Sequence, residues 1–203
     1  MKTFDPYNFD YKSYVKETYD LNEMPNKWQH DKFNLDDPIL NSSEAVWVER
    51  EVKKFTIVSL GQSTKYRLFH KIEGKEETYY LMTVDKPFIH AEYAFIRIKS
   101  PIKGIENKYL WNFKWDKGLI RNFFNEFIVI KEPVVISDEI QTERGFNFWK
   151  WLYVDYVKNK KSHMMYVLDM KTGNKGKLDS ADSMERYYTE TKSGNLRFVL
   201  QKI

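Results

Sequence analysis

The chain has 203 residues, of which 42% are hydrophobic and 17% aromatic, with eight Gly, six Pro and no Cys. That is enough for one substantial core, and it excludes wholesale disorder, disulfides, thiolate nucleophiles and sulfur-ligated zinc. The charge of +4, from 33 basic and 29 acidic residues, is too mixed for a dedicated nucleic-acid binder. No apolar run reaches the ~18–20 residues that span a bilayer. The start Met1-Lys2-Thr3-Phe4-Asp5-Pro6 has no apolar signal core. These features predict a cytoplasmic chain with no membrane partner.

Residues 1–40 are rich in Asp, Asn, Tyr and Lys, and Pro6, Pro25 and Pro38 interrupt them. They read as an N-terminal arm or extension, with a short helix over Tyr11–Leu21. Such an arm either packs over the main domain, residues 41–203, or docks on another protein chain. Asn41-Ser42-Ser43-Glu44 reads as a helix start, with Asn41 as cap and Glu44 reaching back. Ala45, Val48, Val52 and Phe55 continue it as a stripe at helical spacing.

Aromatic and β-branched residues then predict strands over Phe55–Leu60, Tyr66–Ile72 and Thr78–Val84. The last two are joined by a hairpin turn at Glu73-Gly74-Lys75-Glu76. Phe88–Ile98 alternates as a further strand, Pro101–Asn107 breaks it, and Lys108–Trp115 resumes. Leu119–Ile130 carries a broad apolar face (Leu119, Ile120, Phe123, Phe124, Phe127, Ile128) and predicts a helix. Val134-Val135-Ile136 reads as a short buried strand. A helix over Thr142–Val157 with Phe146, Trp149, Leu152, Tyr153 and Tyr156 on one side, a strand over Met164–Leu168, a polar stretch with Gly173 and Gly176, and a closing strand over Leu196–Leu200 complete the order. The predicted class is α+β or α/β: a mixed, mostly antiparallel central sheet with flanking helices.

This order, together with Val134-Val135-Ile136-Ser137-Asp138-Glu139-Ile140-Gln141-Thr142-Glu143-Arg144-Gly145-Phe146-Asn147-Phe148-Trp149, resembles GNAT acetyltransferase-like proteins of bacteriophages. In that group a strand ends in Ser-Asp, followed by Gln-Thr, a Gly and a Trp. The segments Tyr166–Asp169 and Leu196–Leu200 are similar to the last two strands of the group. The resemblance covers about residues 65–203 and implies a GNAT-like fold.

It also implies a place for acetyl-CoA. The family holds pyrophosphate on the amides of a helix N-terminus, in a loop written Arg or Gln, two residues, Gly, one residue, then Gly or Ala. Laid on this chain the loop is Trp115-Asp116-Lys117-Gly118-Leu119-Ile120. Gly118 matches, Trp115 and Ile120 do not, and Asp116 sets a carboxylate at the anion site. Two like charges ~4–6 Å apart near a surface repel by a few kcal/mol at an effective dielectric of ~20. The expectation is therefore a phage-encoded GNAT-like protein with no cofactor, which has lost acetyl-CoA chemistry. It would act by binding a protein partner, in the virion or against host defence in the host cytoplasm. The alternative is an active acyl-CoA-dependent N-acyltransferase using Lys117, Gly118 and Leu119 as its cofactor contacts. A third reading is a nucleic-acid-associated module built on Lys158–Lys161 and Lys171–Lys177.

Other chemistry finds no pattern. His30, His70, His90 and His163 show no metal-ligand spacing, and His90 reads as a packed or edge residue. Asp36-Asp37 before Pro38 reads as a turn, and Asp138-Glu139 as a carboxylate cap on the following helix. Trp149 and Trp151 read as core. No catalytic residue is assigned.

Overall fold

The computed structural model describes residues 38–61, 64–112, 118–139, 143–191 and 195–203. The predicted arm and its helix over Tyr11–Leu21 lie almost wholly outside them. Four helices and nine strands are described. Helix α1 is Pro38–Glu51, followed by β1 Phe55–Leu60, β2 Thr64–Glu73, β3 Glu76–Thr83, β4 Ile89–Ile98 and β5 Gly104–Asn112. Helix α2 runs as Leu119–Phe123, a π segment Phe124–Ile128 and a last turn Val129–Lys131; β6 is Val134–Ile136. Helix α3, Glu143–Leu152, continues as a π segment Tyr153–Asn159. Then come β7 His163–Asp169, β8 Lys175–Lys177, α4 Ala181–Thr191 and β9 Leu196–Lys202.

The sheet order is β1-β2-β3-β4-β5-β6-β9-β7-β8, mixed and mostly antiparallel. The parallel pair is β5–β6, with Ile105 opposite Val135 and Glu106 opposite Ile136. Parallel neighbours need a crossover connection, and α2 lies in it. The final strand β9 enters between β6 and β7, antiparallel to both.

By packing, the described residues divide into two units, those within 38–71, 79–92 and 111–120 in the first and those within 72–78, 93–110 and 121–203 in the second. In the first, Ala45 and Val48 of α1 are buried with Phe69, Tyr80, Met82 and Ile89. In the second, Val134, Ile136, Tyr166, Leu168 and Val199 form a cluster. There Phe146 and Trp149 of α3 lie 6.0 and 6.2 Å from the Phe198 ring, so the stripe predicted on α3 meets β9. Gly104, at the start of β5, is where a backbone must pass closely: a Cβ there would stand 2.8 Å from the Val134 carbonyl oxygen.

Several predicted boundaries shift. Helix α1 begins at Pro38, a residue suited to a first turn, so Asn41 is inside the helix rather than its cap. Its side chain instead donates to the Ile89 carbonyl at 2.8 Å and accepts from the Ile89 amide at 2.8 Å. That satisfies a strand residue from a helix, which local spacing does not show. Residues Gly104–Asn107, read as part of a break, already belong to β5; after Pro101, Gly104 lets the chain come back beside β6. The hairpin turn is where expected, with Gly74 at φ +63°.

The polar stretch after Gly173 holds two unforeseen elements, β8 and α4. Helix α4 is fixed at its start by reciprocal serines: the Ser183 amide donates to Ser180 Oγ at 3.1 Å and the Ser180 amide to Ser183 Oγ at 3.2 Å. This is a capping box with Ser in the place of Glu or Gln. The signal was present, but in a residue type the usual pattern leaves out.

Candidate functional site

The loop singled out by the resemblance is described only from Gly118 onward; Trp115, Asp116 and Lys117 lie outside the described residues. Gly118 has φ +84°, and among the described residues nothing stands within 4 Å of where its Cβ would be. A glycine here leaves an open approach to the backbone at the start of a helix, where amides carry no intrahelical partner. Leu119 and Ile120 are both buried, so their side chains belong to the interior.

His30 lies outside the described residues. His70 is exposed, its ring 4.6 Å from Tyr79; buried His90 lies 5.5 Å from Tyr66 and 5.3 Å from Phe88. His90 is thus a packed residue. Among the described residues no group of three or more His, Asp or Glu is placed to hold a metal ion. Trp149 is buried as expected, while Trp151 is half-buried with the Arg121 guanidinium 5.2 Å from its ring centre.

Charges gather beside the end of β6. Arg197 of β9, 5% exposed, donates from Nε to Glu106 Oε1 of β5 at 3.3 Å, and Lys108 Nζ reaches the same oxygen at 3.3 Å. Glu139 approaches Arg197 Nη2 at 4.0 Å. Ser137, fully buried, accepts from the Phe198 amide at 3.1 Å and donates to the Asp138 carbonyl at 3.2 Å. The Ser-Asp pair on which the resemblance leaned thus fastens β6 to β9. Glu139 faces Arg197; residues 140–142, which lead into α3, lie outside the described residues.

A different kind of feature lies at β1. This strand is at the edge of the sheet and pairs with β2 from Phe55 opposite Phe69 to Leu60 opposite Thr64. Its sequence Phe-Thr-Ile-Val-Ser-Leu holds no charge and no proline, and Phe55 and Ile57 are 50% and 47% exposed. Edge strands of this kind are usually blunted, because their unpaired side is a template for another strand. Beneath Phe55 the surface is built firmly. Phe69 lies 5.3 Å away, and the Arg67 guanidinium sits 5.7 Å from the Phe55 ring centre and 5.6 Å from that of Phe69. Arg67 is itself held by the Thr83 carbonyl at 2.7 Å, the Lys86 carbonyl at 3.1 Å and an ion pair with Glu49. An open groove of about 480 Å³ runs along this edge, lined by Lys53, Lys54, Phe55, Thr56 and Leu68.

The same unit holds a carboxyl of weakened acidity. Glu44 on α1 is 8% exposed, and burial pushes its pKa up to about 7 even though Lys71 pulls the other way. The spacing alone predicts Glu44 as a capping residue reaching back to Asn41. Its burial follows from α1 starting one turn earlier, which turns the Asn41–Ala45 run inward.

Among the features of this chain, the edge strand was legible as a strand but not as an edge. The one local signal is the Lys53-Lys54 pair before a charge-free apolar run, the flanking pattern that guards exposed strands. No family model matches the chain, and no curated protein or solved structure matches it.

Proposed function

We propose that the chain is a GNAT-like protein that works by binding, taking an extended, acidic segment of a protein partner along edge strand β1. What carries this reading is the edge itself: six residues with no charge or proline, exposing Phe55 and Ile57 beside Lys53 and Lys54. Strand addition supplies main-chain hydrogen bonds, and alternate side chains supply specificity. Phe55 and Ile57 share one side of the strand and offer apolar anchors two residues apart. The lysines favour carboxylates and speed encounter at low salt. The GNAT-like part of the reading is supported by the β5–α2–β6 parallel crossover in an otherwise antiparallel setting, and by Ser137 at the end of β6.

A fluorescent peptide of alternating Glu and Val, titrated by anisotropy beside its Lys and Val counterpart, tests the binding surface. The acidic peptide is expected to bind, and to lose at least tenfold in affinity on Ile57→Glu and on raising the salt. Equal binding of both peptides, or indifference to Ile57→Glu, overturns the reading.

A second reading, acyl-CoA-dependent acyl transfer, is favoured by the open backbone at Gly118. Calorimetric titration with acetyl-CoA and with CoA separates the two. Binding by the wild-type chain that disappears in Gly118→Val, where a β-branched residue meets φ +84°, supports acyl transfer. Absence of heat supports binding without the cofactor.

A further inference from the structure

The second unit contains a cavity that neither reading uses. It has a volume of about 510 Å³ and lies where the end of α3, β7 and the edge strand β8 meet. That volume is in the range of sites for small organic ligands. Its apolar wall includes Val157, Met164, Met165 and Leu178. Methionines adapt their shape to a ligand body better than branched side chains do.

Three lysines line the same cavity, Lys161, Lys175 and Lys177. They come from two separate basic clusters, and the β7–β8 pairing of Tyr166 with Lys177 and Leu168 with Lys175 brings them together. Their neighbours in those clusters are engaged elsewhere: Lys160 bonds Asp155 at 2.7 Å and lies over the Tyr156 ring, and Lys158 lies over the Tyr153 ring. Of the cavity lysines, Lys175 stands 4.6 Å from the Tyr166 ring centre and Lys177 pairs with the exposed Asp179 at 2.6 Å. Lys161 adopts φ +51°, a left-handed conformation that a lysine enters at a cost of about 1 kcal/mol. Glycine would fit that turn without strain, yet a lysine occupies it beside the cavity.

His163 adds a polar group to the wall. It is 6% exposed, and Nδ1 is 2.9 Å from Ser162 Oγ. Nε2 is buried with no hydrogen-bond partner among the described residues. A buried polar atom without a partner is costly unless something supplies one. The Tyr156 ring meets the imidazole edge-on at 4.9 Å and fixes its plane. Burial first, then Lys202 and Lys160, hold its pKa below the ordinary histidine value.

We infer that this cavity binds a free amphiphilic anion, with a carboxylate-type head at Lys161 and Lys175 and an apolar body against Met164, Met165 and Leu178. Fluorescence titration with 1-anilinonaphthalene-8-sulfonate, beside the neutral N-phenyl-1-naphthylamine, provides the test. The sulfonate is expected to bind at one saturable site at least tenfold more tightly than the neutral dye. Decanoate should displace it, and decanol or inorganic phosphate should not.

The double variant Lys161→Glu/Lys175→Glu should weaken the sulfonate at least tenfold with its thermal midpoint and circular dichroism preserved. Ile57→Glu, at the proposed peptide edge, should leave it unchanged. Equal affinity for both dyes, displacement by decanol as good as by decanoate, or full binding by the double lysine variant overturns the inference. If the double variant does not fold, displacement by decanoate against decanol decides alone.

Discussion

The two packing units bury Arg197 and Glu44 in opposite ways. In the second unit, buried charges have ionic partners on neighbouring strands and loops. Arg197 meets Glu106, and Arg97 grips Glu132 through Nη1 at 3.0 Å and Nη2 at 2.9 Å while Nε reaches Glu77 at 2.6 Å. In the first unit Glu44 is buried with Lys71 acting on it only as a field, and it answers by holding its proton to about pH 7. A charge removed from water must be paired or neutralised. Pairing makes the second unit dependent on both members being present. Neutralisation makes the first dependent on pH.

The largest effect expected from this contrast is at Arg197. Replacing it by Met leaves the Glu106 carboxylate buried with Lys108 as its remaining cation, and should cost about 3 kcal/mol in urea unfolding. Changing Glu106 to Leu in the same chain should return most of that loss. A double variant as unstable as the single one would show that packing, not charge, holds this place.

Glu44 gives the matching test of the first unit. Its folded pKa of about 7 stands above the ordinary 4.5. The stability it contributes is therefore fully present below about pH 4.5 and lost as the pH rises through about 7, a fall of roughly 3 kcal/mol. Glu44→Gln should flatten the stability profile across that window, as read from denaturant midpoints at a series of pH values. A profile as steep in the variant as in the wild type would assign the pH dependence to another group.

Two glycines sharpen the comparison at smaller scale. Gly104→Ala in the second unit drives a methyl to 2.8 Å from the Val134 carbonyl oxygen and should cost about 2 kcal/mol. Gly118→Ala in the first meets nothing among the described residues, so its cost should be the left-handed strain alone, about 1 kcal/mol. Thermal midpoints of the two variants would rank them. The reverse order would show that the Gly118 turn is more closely packed than its surroundings indicate.

Elements with a strong local pattern were legible in the sequence. Phe55–Leu60 and Val134–Ile136 have the bounds their composition predicted, and Gly74 takes the turn assigned to it. The α3 stripe of Phe146, Trp149 and Leu152 is buried as its spacing required. Helix α4 was missed because its inward face is short, with Met184 buried and Tyr187 and Tyr188 half-buried, and lies in a polar run. Of the cofactor residues suggested by the resemblance, Gly118 has the conformation only glycine adopts freely, Leu119 is interior, and Lys117 lies outside the described residues. The converging lysines of the cavity were seen as two separate basic clusters, since nothing local tells that β8 will pair with β7.

The sequence by itself determined the strands other than β8 and the start of β5, the turn at Gly74 and the apolar faces of α2 and α3, because period and backbone sterics act over a few residues. Tertiary structure alone decided that β9 enters between β6 and β7, that β1 is left as an edge, and that Asn41 and Glu44 turn inward. Those outcomes depend on which surfaces meet across long stretches of chain, where burial and pairing outweigh local preference.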